Sequence, residues 1–365
     1  MASSKKSRRR DLRAHVAGLL AKNIKQHLVL GLSGGLDSMV LLDILKALSG
    51  KLHFKFSALH VNHQLSLNAA SWAEFCRREC LRRAIPLQIV KVKVSGARGL
   101  GVEAAARTAR YQAYREQKAH TIVLAHHLDD QAETLLLQLL RGGGIKGLSA
   151  MPEARSESSG LRILRLLLEV PRSEIKHYAQ TRKLKWIEDE SNDDTRFDRN
   201  FLRHEVLPVM AKHFPVYRET LGRVSRHFAE AAQLLDELGK LDFSANNHQG
   251  RLRAAALREL APARAKNLLR HYLAQNQVAM PGAKKLDEIL QQLAHARSDA
   301  NVKVNLGEWE LRRFKGEVYV ERAQGGGSKI DIEWHGELRL VLSQNGMLVF
   351  RRTQGKGIAY ARLIR

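Results

Sequence analysis

Apolar positions in the first half of the chain follow two alternating patterns. The runs HLVLGL (27–32), FKFSALHVN (54–62), IPLQIVKVKV (85–94) and TIVLA (121–125) are apolar and rich in β-forming residues, and they predict strands. Between them, helices are expected from Ser38 to Leu48, Asn68 to Arg83, Val102 to Lys118 and Asp129 to Leu140. Strands alternating with helices of this length need right-handed crossovers, so the fold class expected is α/β with a doubly wound parallel sheet. Ligands of such sheets sit beyond the carboxyl ends of the strands. RGGGIKGLSAMPEARSESSG (141–160) loses periodicity and reads as a loop long enough to form a flap. PRSEIKHYAQTRKL (171–184) predicts a helix with Pro in its first turn, and a polar stretch at 188–200 precedes the helical FLRHEVLPVM.

From about Val216 to Ser298 the spacing is helical only, and short β patterns (VKVNL, WELRRF, EVYVE) follow from Asn301. GGGS at 325–328 reads as a linker. The expected organisation is therefore a first domain over 1–215, a mainly helical one over 216–322 and a small strand-rich one over 329–365.

Composition narrows the classes. At 44% hydrophobic and 27% charged the chain is globular, and no apolar run approaches the roughly 18 residues of a membrane span. Lysines interrupt the stretch after the basic start too early for a signal-peptide core, so a cytoplasmic location is expected and no membrane partner. Cys76 and Cys80, four apart on a predicted helix, are the only cysteines, which excludes a disulfide framework and a Cys-rich zinc site. The 61 Lys and Arg against 37 Asp and Glu leave +24, concentrated in blocks at 5–13, 77–98, 162–203 and 251–270. That distribution suits a broad polyanion, a nucleic acid, better than a small acidic metabolite.

The sharpest motif is Ser33-Gly34-Gly35-Leu36-Asp37-Ser38, between a predicted strand and a predicted helix. Glycines let the backbone approach an anion, and the helix start offers free N–H groups to phosphate. Ser33 and Ser38 add hydroxyls. Asp37 would repel phosphate unless a divalent cation lay between, which points to Mg2+. Neither G-x-x-x-x-G-K-[ST] nor G-x-G-x-x-G accompanies this strand, which disfavours a P-loop ATPase and a dinucleotide dehydrogenase. Glu103, Arg107 and Arg110 fall on one helix face, turned either to solvent or to phosphate. In His126-His127-Leu128-Asp129-Asp130-Gln131-Ala132-Glu133-Thr134 the carboxylates of Asp130 and Glu133 share a face, placed for metal binding, proton removal or simple helix-start electrostatics. His126 and His127 could orient a ligand or be satisfied structural histidines. HExxH is absent, so zinc is not expected.

SGGLDS resembles the signature of the pyrophosphatase-loop ATP-binding family. His60-Val61-Asn62-His63, the 103–111 stretch, HHLDDQAET, Arg141-Gly142-Gly143-Gly144 and Ser191-Asn192-Asp193-Asp194-Thr195 with Arg199-Asn200 and Arg203 narrow the resemblance to its tRNA(Ile)-lysidine synthetases, over about residues 20–215. The later regions resemble that family's tRNA-binding domains only in layout and charge. The resemblance implies an adenine nucleotide α-hydrolase-like fold and an ATP-dependent carbon–nitrogen ligase. Such an enzyme adenylates carbon 2's oxygen on the wobble cytidine of an isoleucine tRNA with a CAU anticodon. Free lysine then displaces AMP, and decoding shifts from AUG to AUA. On this reading Ser33, Gly34, Gly35, Leu36, Asp37, Ser38, His60, Arg107 and Arg110 bind ATP, with Asp37 on Mg2+. His126, Asn192, Arg199 and Asn200 contact substrate, and Asp37, Asp130, Glu133 and Arg203 are catalytic. Because lysine's amine has a pKa of about 10.4, under ~0.1% is neutral at pH 7, and a carboxylate base near Asp130 and Glu133 would help. A homodimer is carried as an assembly to test.

The chain departs from the family pattern at Arg165-Leu166-Leu167-Leu168, where Arg-Pro-Leu-Leu is usual, and in ending at ARLIR, which points to a shortened last domain. Rival readings are a sulfur-inserting tRNA modifier, an amide-forming metabolite synthetase and a non-catalytic RNA-binding protein. The first lacks its cysteines and the second has no use for +24. The completeness of the polar motif blocks argues against the third.

Overall fold

The computed structural model describes residues 10–22, 27–94, 101–117, 121–157, 159–297, 300–323, 332, 334–342 and 346–351. The GGGS linker, the chain end at 361–365 and the side chain of Glu103 lie outside them. The chain divides into two compact units, Met1–Leu235 and Asp236–Arg365.

The first unit is built on a six-stranded sheet in the order β3-β2-β1-β4-β6-β5: β1 Leu28–Gly31, β2 Phe56–Asn62, β3 Leu87–Lys91, β4 Thr121–His127, β5 Ala154–Ser156 and β6 Arg162–Leu167. All neighbours run parallel except β5, which is antiparallel to β6 at the edge. The helices α1 Leu12–Ala21, α2 Leu36–Ser49, α3 Ala69–Arg82, α4 Val102–Glu116 and α5 Leu128–Leu140 cover it. Strand β1 is buried on both sides: Leu28 and Leu30 join α1 and α2 in one core, while Val29 meets Tyr111 and Tyr114 of α4 in another. That two-sided burial is why its sequence is continuously apolar. The order reverses at β1, whose chain leaves to α2 while the neighbouring β4 leaves to α5, the switch point at which doubly wound sheets hold ligands.

Two expectations are corrected. The stretch 141–160 is not all loop: it contains the helical turn α6 Ile145–Leu148 and the edge strand β5. Its glycines hid that order, since Gly143 folds back on α5 with its N–H 2.7 Å from the Gln138 carbonyl. Helices α7 Arg172–Thr181, α8 Asp198–Phe201 and α9 Leu207–His213 follow, with a π-helical turn at Leu202–Val206 between the last two.

The second correction concerns the region expected to be helical only. Helix α10 Tyr217–Ala245 contains the division between the units, and a hairpin, β7 Asn247–His248 and β8 Arg251–Arg253, interrupts the helices after it. The hairpin joins β9 Val302–Leu306, β10 Trp309–Phe314 and β11 Glu317–Arg322 in an antiparallel sheet ordered β7-β8-β11-β10-β9. With only Leu252 buried, β8 carries too short an apolar signal to be read alone. Helices α11 Ala256–Glu259, α12 Pro262–Gln275 and α13 Ala283–His295 share that unit's core with the sheet. Buried Arg313 donates to the carbonyls of Leu293 and Ala296 at 2.8 and 2.9 Å, satisfying the end of α13. Strands β12 Arg339–Leu342 and β13 Gly346–Val349 pair with each other.

Candidate active site

The turn 33–38 lies between β1 and α2, at the sheet's reversal. Gly34 has φ +88°, and a Cβ there would stand 2.7 Å from Ile187 Cδ1 and 3.0 Å from Cys76 Sγ, so only glycine fits. The segment carrying Ile187 braces the turn, donating its N–H to the Gly34 carbonyl at 2.9 Å. The hydroxyls expected to face an anion are instead largely used within the turn. Ser38 Oγ accepts from Gly34 N at 3.1 Å and donates to the Gly35 carbonyl at 3.0 Å, and Ser33 Oγ accepts from Gly35 N at 3.3 Å. The donors left are the first-turn amides of α2, since Gly35 supplies no side-chain cap. Leu36 contributes through its backbone, for its side chain is buried in the core.

Asp37 sits in that first turn. Its Oδ2 is 3.6 Å from His127 Nε2, and its Oδ1 is buried without a hydrogen-bond partner, 4.0 Å from Arg172 Nε. Among the described residues no three His, Cys, Asp or Glu side chains converge as a metal cage. A lone carboxylate with an orphaned oxygen beside free amides fits Mg2+ held mainly by phosphate oxygens.

His127 ends β4 and caps α5. Its Nδ1 accepts from Asp130 N at 3.3 Å, while the Asp130 carboxylate accepts from His127 N at 2.9 Å. Burial pushes the His127 imidazole down, but Asp130, Asp37 and Asp129 outweigh it and pull the ring up; with Nδ1 accepting from Asp130 N, the ring proton sits on Nε2, toward Asp37. Its neighbour His126 goes the other way. Burial and the charges of Arg165, Arg199 and Arg107 outweigh the pull of Asp130 and push it down to about 3, a neutral ring whose Nδ1 has no partner.

One turn along α5, Glu133 is 1% exposed and both its oxygens accept from arginines. Arg199 Nε donates to Oε2 at 2.6 Å, and Arg203 donates to Oε1 and Oε2 at 2.8 and 2.9 Å. Arg199 also reaches Asp130 Oδ1 at 2.7 Å. Burial would raise the Asp130 carboxyl, but His127, the Arg199 guanidinium and the hydrogen bond from the His127 N–H hold it well below the usual range. Asn200, between the arginines, is buried and donates to the carbonyls of Ser191 and Asp194 at 2.8 and 3.0 Å, locking the 190–194 turn onto α8.

The structure thus joins Asp37, Asp130, Glu133, Arg199 and Arg203, with His126 beside them. The other expected site residues stand apart from this network. His60 is buried, its Nδ1 2.9 Å from the Leu32 carbonyl, so it fixes the strand end before the turn. Arg107 lies over the Tyr111 ring and Arg110 donates to His63 Nε2 at 3.3 Å. Exposed Asn192 offers its carbonyl to His204 Nε2 at 2.8 Å. Sequence reasoning gave no defined role to His127, Asp129 or Arg218, and missed Arg172. Asp129 bonds Arg218 of α10 and the Arg172 N–H, tying the start of α5 to two later helices. Only the adjacent acids at 129–130 signalled it.

Most of the chain is similar to known proteins. Residues 9–210 match the PP-loop domain family and residues 252–319 the TilS substrate binding domain. A protein of Nitrosomonas europaea named tRNA(Ile)-lysidine synthase is 44% identical over 340 residues, 92% of this chain and 74% of its own length. One of the same name from Coxiella burnetii is 37% identical over 89% of this chain and 73% of its own. A solved U34-tRNA thiolase from Methanococcus maripaludis, 16% identical, superposes with TM-score 0.52 over 60% of this chain and 78% of its own, a likeness of fold alone.

Proposed function

The chain belongs to the tRNA(Ile)-lysidine synthase family, and from that membership we propose the following reaction for it. The oxygen on carbon 2 of the wobble cytidine, in an isoleucine tRNA with a CAU anticodon, attacks the α-phosphorus of ATP and pyrophosphate leaves. The amine of free lysine then bonds to carbon 2, the carbon–oxygen bond breaks, and that oxygen departs in AMP while the amine releases a proton. The protein is an ATP-dependent ligase of the PP-loop class.

The observation that carries this reading is the convergence of an open helix start at 36–38 with the α5–α8 network through one imidazole ring, His127, whose Nε2 is within 3.6 Å of both Asp37 and Asp130. The first-turn amides of α2 bind the phosphate tail, and Asp37 would hold Mg2+ there. Bound Mg2+ supplies charge neutralisation between the phosphates. Arg199 and Arg203, fixed by Glu133, face the AMP portion. Asp130, held ionised, is a weak base, so its service is to seat lysine's ammonium more than to strip it. Residues 216–322 and 329–365 supply tRNA contacts.

Among the described residues no helix is long and apolar enough to cross a membrane. We carry a cytoplasmic location and a homodimer as parts of the proposal, the latter tested by sedimentation. The decisive assay follows pyrophosphate release and labelled-lysine transfer with and without the CAU tRNA. Both are expected only with tRNA present. Release without tRNA would instead support a metabolite synthetase, and no release a binding protein. If tRNA affinity did not fall with salt, the contacts assigned to Arg251 through Arg270 would be withdrawn.

A further inference from the structure

Helix α8 is fixed on three sides. Arg199 is held by Glu133 and Asp130, Asn200 is bonded to the 190–194 turn, and Arg203 of the following π-helical turn is held again by Glu133. Asp198 at its start pairs with Arg141, which ends α5, at 2.6 Å. Phe201 is left facing solvent by this clamp and is 48% exposed. Asp198 and Phe201, three apart, share a face of α8, so the ring lies on the side of the Arg141 bridge. Leu140 and Ile145, both exposed, flank that bridge along the chain, and Arg141 and Lys146 are exposed beside them.

We propose that Phe201 is a stacking platform for one unpaired base of the tRNA loop that delivers the wobble cytidine. This rests on the reading of the site given above. A half-exposed Phe in a mobile loop would say little, but this ring stands on a backbone fixed by Arg199 on the active-site carboxylates, Asn200 on the 190–194 turn and Asp198 on Arg141. A rigid aromatic face loses little entropy when a base covers it, and stacking is indifferent to base identity. The occupant follows from charge: Arg199 and Arg203 are spent on Glu133 and Asp130, but exposed Arg141, bonded to Asp198 of the same helix, and exposed Lys146 after it, in a chain of +24, favour a polyanion carrying π-faces, which is single-stranded RNA.

The test compares Phe201→Ala, Phe201→Tyr and Phe201→Trp in the full-length protein. Steady-state lysine transfer is measured with tRNA, ATP and lysine varied in turn. Phe201→Ala is expected to raise KM for tRNA about tenfold, the lower part of the range for losing one base–aromatic stack, with KM for ATP unchanged and melting temperature preserved. Phe201→Tyr and Phe201→Trp are expected to restore it. An unchanged KM for tRNA in the alanine variant overturns the proposal, as does a loss that the aromatic variants do not rescue. If the patch joined two copies of the chain, sedimentation would show the alanine variant shifting to monomer, and that result too would overturn it. Failure of lysine transfer by the unsubstituted protein would refute the proposed reaction instead, so the two failures are separable.

Discussion

The turn at 33–38 and the α5–α8 network do related work by opposite means. The turn is mainly local: its hydroxyl bonds run between residues no more than five apart, with one brace from the Ile187 N–H, and its open donors are backbone amides. The network is distant: Glu133 meets Arg199 and Arg203, 66 and 70 residues later. A local cradle depends on backbone conformation and is broken by any side chain that forbids it. A distant network depends on paired charges and is broken by removing one of them. The two should therefore fail differently, one in activity with the fold kept, the other in stability as well.

The largest effect is expected at Gly34. Alanine there meets Ile187 at 2.7 Å in a backbone conformation that L-residues rarely adopt. Displacing the helix start proposed to bind phosphate is expected to cut pyrophosphate release at least about hundredfold, comparable to losing one preorganised donor. The far-ultraviolet spectrum should stay unchanged.

This contrast also explains what could be read from the chain. The cradle was legible because strand, Gly-Gly turn and helix start are contiguous, and so was the sheet class, since β1 and β4 are apolar on both faces. Asp130 and Glu133 could be placed on one helix face by spacing. That both would be engaged by Arg199, and that Asp129 would bridge to Arg172 and Arg218, depends on chain paths that no local pattern encodes. His60 shows a related limit: a motif histidine at a strand end can serve ligand or backbone, and only the structure shows its Nδ1 on the Leu32 carbonyl. The hairpin at 247–253 was missed because its pairing partner, β11, begins only at Glu317.

Next in size is Glu133→Gln. Removing one member of a buried ion pair leaves its partners uncompensated, here two arginines, at a cost of about 3 kcal/mol, or roughly 10 °C in melting temperature. Lysine transfer should fall with it. A variant that kept its melting temperature would show that the arginines find other partners, and the distinction between the two regions would lapse.

A smaller effect separates the histidines. Burial, then Arg110 and His60, push His63 down to about 4, with its Nε2 accepting from Arg110. The unfolded chain binds that proton near pH 6.5, so between pH 6.5 and 4 unfolding takes up protons and stability falls as pH falls. The group is partly exposed, which limits its share to about 1 kcal/mol. Urea unfolding of His63→Gln should lose less stability than the parent over that window and should match it above pH 7.

The smallest effect isolates burial from distance. Arg141–Asp198 and Arg199–Glu133 both close at 2.6 Å, across 57 and 66 residues, yet the Asp198 side chain is 67% exposed and that of Glu133 1%. Water already solvates Asp198 and salt screens its attraction, so Asp198→Asn should cost a few tenths of a kcal/mol, and less still at high salt. Measured beside Glu133→Gln by thermal unfolding, it holds contact length constant while burial changes and one arginine rather than two is left unpaired. Equal losses in the two variants would mean that contact length sets the stability of these pairs, and the division between local cradle and buried network would lose its physical basis. Unequal losses, with salt acting on the exposed pair alone, would place the difference in the removal of Glu133 from water.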